Sequence, residues 1–229
     1  MDDHKPPLSE FSLKHSANSF SIWKNNCTSE AMIEYQIYIT SQGDFGDQIE
    51  NFQFRNKHPL LVSTLYWEYA EQPSYIASKI SVFYERIYTN LSRIKDIPFN
   101  DTLHFYYVAL KGFELLYKKF GYFHITEAMF YISDHHKLKI WGHEDISRIR
   151  PDKPLECGFE AVMVRKIIQL IDENTDYPPQ CIPLGSILYE EASNSFHFAL
   201  QKLKELTIRY KWTIPERLSC LEQLSKGEV

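Results

Sequence analysis

The sequence predicts an α+β fold, with strands gathered in its first third and helices in the remainder. Three observations carry this expectation. Alternation with period two marks the run MIEYQIYIT at residues 32–40, which sets Ile33, Tyr35, Ile37 and Ile39 on one face. Spacing of three to four marks residues 100–120, where Leu103, Tyr106, Tyr107, Leu110, Phe113, Leu116 and Tyr117 form a wide apolar stripe. Residues 129–142, MFYISDHHKLKIWG, place two short apolar runs on either side of a polar turn, the pattern of a hairpin.

The elements follow in order. Residues 1–10 are expected as a tail, because Pro6-Pro7 and the surrounding charges do not nucleate regular structure. Residues 20–24 (FSIWK) and 32–40 read as strands, and Gly43-Asp44-Phe45-Gly46 as a turn. Residues 47–56 suit a short helix with Ile49, Phe52 and Phe54 inward, stopped by Pro59. Residues 60–68 and 79–88 read as two further strands. Asn100 or Asp101 is expected to cap the long helix, and Gly121 to end it. After the hairpin, helices are expected over residues 159–174, with Val162, Val164, Ile167, Ile168 and Ile171 apolar, over 187–210, and over 216–225.

Composition bounds the function. The chain has 229 residues, 44% of them hydrophobic, with 15 Tyr and 15 Phe, enough for a sizeable core. A net charge of −5 with both signs mixed gives no electrostatic footprint for nucleic acid or an anionic membrane. The four cysteines, Cys27, Cys157, Cys181 and Cys220, form no CxxC pair and read as reduced, mostly buried thiols. The N-terminal residues lack the apolar core of a signal peptide, and no stretch approaches the roughly 20 apolar residues that span a bilayer. The sequons at Asn26, Asn90 and Asn100 are then chance matches. The expectation is an intracellular protein, cytoplasmic or cytoskeletal.

Several segments, read in order, carry a family resemblance. Ser16-Ala17-Asn18-Ser19-Phe20-Ser21 stands where kinases carry the Gly-rich loop, and Glu30-Ala31-Met32-Ile33-Glu34 is similar to the V-A-I-K strand. Asn56-Lys57-His58-Pro59-Leu60-Leu61-Val62 resembles the N-x-H-P-N-I-V segment after the first small-lobe helix, and Val82-Phe83-Tyr84-Glu85 the hinge strand. Leu138-Lys139-Ile140 resembles the strand before D-F-G, whose Asp position is Gly142. The resemblance covers roughly residues 11–175, with no motif intact. It implies a β-rich small lobe over 11–88 and a helical, truncated large lobe over 89–229 that diverges after about residue 175. It also implies that the strand at 79–88 and the hairpin at 129–141 lie in different sheets.

Each functional kinase position is altered under this resemblance. Ser16, Asn18 and Ser21 replace the loop glycines that let backbone N–H groups reach phosphate. Glu34 replaces the phosphate-binding lysine, and a carboxylate there repels nucleotide. Glu50 keeps the place of the helix glutamate without a lysine to pair. Counted from His124, the catalytic Asp becomes Thr126 and the metal-binding Asn becomes Tyr131; counted back from Leu138, they become His124 and Met129. With Gly142 in the remaining magnesium position, every charged group of phosphoryl transfer is missing. No A-P-E segment is visible, so a peptide-substrate platform is not expected.

Other constellations lack the spacing or neighbours that their chemistry needs. His124, His135, His136, His143 and Cys157 lack zinc-ligand spacing, and the side chains of His135 and His136 diverge at a turn. Glu114, Glu127, Glu144 and Asp145 are not placed in one cleft by any pattern. Cys157-Gly158 lacks a cationic neighbour or base to activate a thiolate. The apolar residues of 188–210 (Phe196, Phe198, Leu200, Leu203, Leu206, Ile208 and Tyr210) exceed what a truncated lobe covers, so an exposed partner patch is expected there.

The sequence thus predicts no enzyme, no cofactor and no metal. It points to a pseudokinase that scaffolds other protein subunits, without nucleic acid, membrane insertion or bound nucleotide. A large cytoskeletal or ciliary assembly is one home compatible with that role. Two rivals stand beside it: a nucleotide-binding or phosphoryl-transfer protein with rearranged ligands, and an unrelated α+β interaction module.

Overall fold

Five runs in the first third of the chain pair into one antiparallel sheet, in the order β1-β2-β3-β5-β4. They are β1 (Phe11–Ser16), β2 (Phe20–Asn25), β3 (Ala31–Ile39), β4 (Thr64–Ala70) and β5 (Ser78–Tyr84). The computed structural model describes residues 8–16, 20–27, 31–39, 42–70, 78–85, 87–91, 94, 96–133, 136–141, 158–177 and 184–219. The chain divides into two compact units, Met1–Ile87 and Tyr88–Val229.

In the first unit, β3 is the central strand, and Met32 and Glu34 are buried on it while Ile33 is only half-buried. The strand expected at 32–40 is present, and of its expected face Ile33 is half-buried. Helix α1 (Gln42–Asn56) links β3 to β4. It begins before Gly43, so the expected turn at residues 43–46 is helical. A glycine in a helix costs only about 1 kcal/mol, which the contacts of one helix can override. Phe52 is buried and Ile49 and Phe54 half-buried, as the stripe predicted. Asn56 secures the exit: its amide donates to the Thr64 carbonyl (2.7 Å) and accepts from the Thr64 N–H (2.8 Å). Strand β1 was not foreseen, because FSLKHS lacks clean alternation. Its pairing with β2 carries a bulge between Leu13 and His15 that breaks the pattern.

The second unit is built on α2 (Phe99–Phe120), which packs against β9 (Leu138–Ile140), α3 (Phe159–Asp172) and α5 (Phe196–Tyr210). Leu103, Phe105, Tyr106, Val108, Ala109, Leu110, Phe113 and Leu116 are all buried, so α2 is apolar around most of its circumference. Tyr107, placed on the predicted stripe, is exposed instead, and Tyr117 is half-buried against the ring of Phe196. Pro98 precedes the helix, and neither Asn100 nor Asp101 caps it. Gly121 ends it with φ 76°, and its N–H returns to the Tyr117 carbonyl, as the sequence predicted.

The predicted hairpin is β8 (Phe130–Ser133) with β9, joined by β6 (Ile87–Asn90) into a three-stranded sheet. The single strand expected at 79–88 is therefore divided: residues 78–84 join the five-stranded sheet, and Ile87–Asn90 joins the hairpin. Short strands β7 (Ile97–Pro98) and β10 (Thr175–Asp176) pair in parallel. The expected helix over 187–210 is two helices, α4 (Leu184–Ala192) and α5. Ser195 breaks it as an extended N-cap whose side chain accepts from Phe198 N–H. Val162 on α3 is exposed, while Met163 and Leu170 take the buried places beside the predicted Ile167, Ile168 and Ile171. Residues 216–219 are not helical, contrary to expectation; the remainder of that expected helix lies outside the described residues. Among the described residues no helix is long and apolar enough to cross a membrane.

Candidate functional site

In the first unit, the β1–β2 hairpin brings three of the singled-out residues together. Ser16 pairs with Ser21 at the end of the ladder, and their hydroxyls lie 3.3 Å apart. Ser21 in turn faces Glu34 on β3. Asn18 lies outside the described residues. Glu34 is 8% exposed and accepts a hydrogen bond from Trp23 Nε1 at 2.9 Å. An indole N–H can only donate, so this contact fits a carboxylate at position 34 and would be lost with a lysine there. Glu50 is exposed on α1.

In the second unit, Thr126 and His124 are exposed, and His124 sits edge-on to Tyr122. Thr126 opens a short 3-10 turn, with its carbonyl taking the Met129 N–H at 3.1 Å. Met129 is buried, and its carbonyl accepts from Trp141 N–H at 2.9 Å. Tyr131 packs edge-on against the Trp141 ring. In either register the Asn position is thus an apolar or aromatic side chain at least half-buried, and the Asp position is an exposed histidine or threonine. Gly142 lies outside the described residues, as do His135, His143, Glu144, Asp145 and Cys157.

Glu114 is held on α2 by Lys111 (2.8 Å) and Lys118 (2.6 Å). Burial pushes its carboxyl upward, but the two lysines outweigh this and hold it below the usual range. It is a helix-face ion pair at i,i+3 and i,i+4 spacing. Among the described residues no group of three or more His, Cys, Asp or Glu side chains is arranged to hold a metal ion.

Two polar clusters were not singled out from the sequence. The first joins Tyr106 on α2, Asp172 at the end of α3, and Tyr177. Both phenols donate to Asp172 Oδ1 at 2.5 Å. Burial, reinforced by Asp172, raises both phenols above their ordinary value of 10.0, so they remain donors at neutral pH. The other carboxylate oxygen lies over Gly185 at the start of α4: a Cβ built there would stand 1.9 Å from it. A shallow groove of about 290 Å³ opens beside the cluster, lined in part by Ile168, Glu173, Gly185, Tyr189 and Glu190. Asp172, which also lines the groove, is half-buried and accepts from two phenols, so the cluster ties α2 to α3 beside the start of α4.

The second cluster surrounds His104 on α2. Its Nδ1 donates to the Pro215 carbonyl at 2.7 Å, and its Nε2 accepts from Leu138 N–H at 3.2 Å. One turn earlier, Asp101 accepts from the Ser219 backbone N–H (2.9 Å) and hydroxyl (3.0 Å). The available signal was a polar pair at i,i+3 within an apolar helix. Spacing alone did not reveal partners more than a hundred residues away.

Scanned against protein-family models, the chain finds no match. Searched against curated proteins, it finds none either.

Proposed function

We propose that this chain is a catalytically inactive, protein-kinase-like domain that acts as a binding or scaffolding subunit for other proteins. The observation that carries the reading is the buried Glu34–Trp23 hydrogen bond on the third strand of a five-stranded antiparallel sheet. In the resemblance, position 34 belongs to the lysine that holds the nucleotide phosphates. A carboxylate tied to an indole does not fit a polyphosphate there, since like charges at such a separation repel. The helix between the third and fourth strands, and the packing of α2 against the hairpin strand β9, also support the reading.

One observation favours the unrelated α+β interaction module instead. Residues 87–88, expected with the fifth strand, pair into the sheet of the 130–140 hairpin. Both readings assign binding and no turnover, and both expect the chain to be indifferent to nucleotide.

The test is thermal unfolding of the full chain with increasing ATP and Mg²⁺. No change in midpoint is expected. A concentration-dependent rise would overturn the nucleotide-free reading, because a ligand of the native state must stabilise it. Affinity capture with cross-linking then tests the scaffolding role. Reproducible cross-links to defined partner subunits are expected, and recovery of the chain alone would count against it.

A further inference from the structure

We propose that the groove between α3 and α4 seats an arginine side chain of a partner protein. The inference rests on the binding role proposed above and adds the chemistry of what is bound. The groove is formed by the last turns of α3 and the first turns of α4, and measures about 290 Å³. Small-molecule sites run from about 300 to 1,000 Å³ and are deeper, so this one suits a single side chain better than a cofactor. Its surface has two characters. Buried Ile168 and Gly185 and the ring of Tyr189 are apolar, and that ring is 48% exposed. Asp172, Glu173 and Glu190 contribute three carboxylates, and among the described residues no Lys, Arg or His lines the groove.

The neighbours leave that negative charge unbalanced. Asp172 is held by two phenols, which are neutral donors. Glu173 accepts from the Gln169 amide (2.7 Å), whose oxygen takes Lys166 (3.2 Å), so the nearest lysine on α3 spends its contact on an amide. Arg165 donates to the Ser193 hydroxyl (3.2 Å) and lies 5.5 Å from the Tyr189 ring centroid, without lining the groove. Lys202 pairs with Glu191 at 2.5 Å. Among the described residues none of the three groove carboxylates forms an ion pair.

This combination selects the occupant. Three like charges repel an anion, and a purely apolar side chain leaves them unanswered. The complement is a methylene stem with a cationic head, which buries the stem and keeps the charge at the rim. Arginine fits better than lysine. Its guanidinium is planar and weakly hydrated, stacks on an aromatic face, and gives two N–H groups at once to a carboxylate. The compact ammonium of lysine holds its water in an open groove. Tyr189 already accepts one guanidinium, that of Arg165, so its ring is suited to a second cation on the groove side.

The test titrates the full chain with the peptide acetyl-Gly-Gly-Arg-Gly-Gly-amide and follows its backbone amides by NMR. Saturable shifts are expected at Glu173, Gly185, Tyr189 and Glu190, with a Kd in the millimolar range that weakens as salt is added. The same peptide with citrulline, which keeps the shape and loses the charge, should bind about tenfold more weakly, and the lysine peptide should also bind more weakly. The double variant Glu173→Gln with Glu190→Gln should lose about tenfold in affinity, the worth of two exposed ion pairs. Glu190→Lys alone, which puts a cation at the rim, should abolish the shifts. No saturable shift at the groove, a citrulline or lysine peptide as strong as the arginine one, or an unchanged affinity in the double variant would each overturn the proposal. Partner capture keeps the two readings apart. Absent shifts with partner cross-links intact overturn the groove and leave the scaffolding role standing. Groove shifts in a chain that captures no partner support the arginine seat and count against the scaffolding role.

Discussion

Trp23 donates its indole N–H to Glu34 across adjacent strands, Nε1 to Oε2 at 2.9 Å, where the resemblance to kinases puts a lysine. A hydrogen bond to a partly buried carboxylate contributes more than a neutral one. The coupling between Glu34→Ala and Trp23→Phe, each of which removes one partner of the bond, should be about 1.5 kcal/mol in a double-mutant cycle in urea. Glu34→Lys should destabilise the chain and confer no stabilisation by ATP with Mg²⁺. Zero coupling, or a gain of nucleotide response in the lysine variant, would remove the main support for an inactive site.

Gly185 has no room for a side chain because the Asp172 carboxylate occupies the space. That carboxylate cannot simply swing aside, since Tyr106 and Tyr177 both hold it. Gly185→Ala should therefore cost about 2–3 kcal/mol. In an Asp172→Ala background the same change should cost less than about 1 kcal/mol, because the obstruction is gone. Additive costs would show that the clash lies elsewhere.

Alkaline pH should strain the same cluster. Burial and Asp172 hold Tyr106 and Tyr177 in the protonated form in the folded chain, whereas unfolding returns them to the ordinary value of 10.0. Their contribution is full below that value and is lost as pH rises above it, because the unfolded chain then releases protons the folded chain keeps. The urea midpoint should begin to fall above about pH 10, and Tyr177→Phe should flatten the decline. An identical decline in wild type and variant would exclude this pair as its source.

Much of the fold was legible because it is local. The α2 stripe, the Gly121 stop and the 129–142 hairpin each rest on residues within a few positions of one another. The break between α4 and α5 was less legible, since the apolar spacing continues across Ser193–Ser195. There Ser195 and Glu160 together satisfy the first N–H groups of α5, and Glu160 reaches the Phe196 N–H from α3, 36 residues earlier. The expected partner patch on α5 also changed character. Phe196, Leu203 and Leu206 are buried, while Phe198 and Ile208 are 56% and 68% exposed. They stand about 15 Å apart along the helix axis, and Tyr210 of the same expected patch is exposed as well.

The amino-acid order by itself determined the segregation of strands from helices, the hairpin, and the residue types at positions such as Glu34 and Thr126. Period and turn chemistry are properties of neighbouring residues, so they survive without a fold. Only the tertiary structure decided what Asp101, His104 and Asp172 do. Their partners lie 118, 111 and 66 positions away, at Ser219, Pro215 and Tyr106. A buried polar group must find a partner wherever packing brings one, and no local pattern records which one that is.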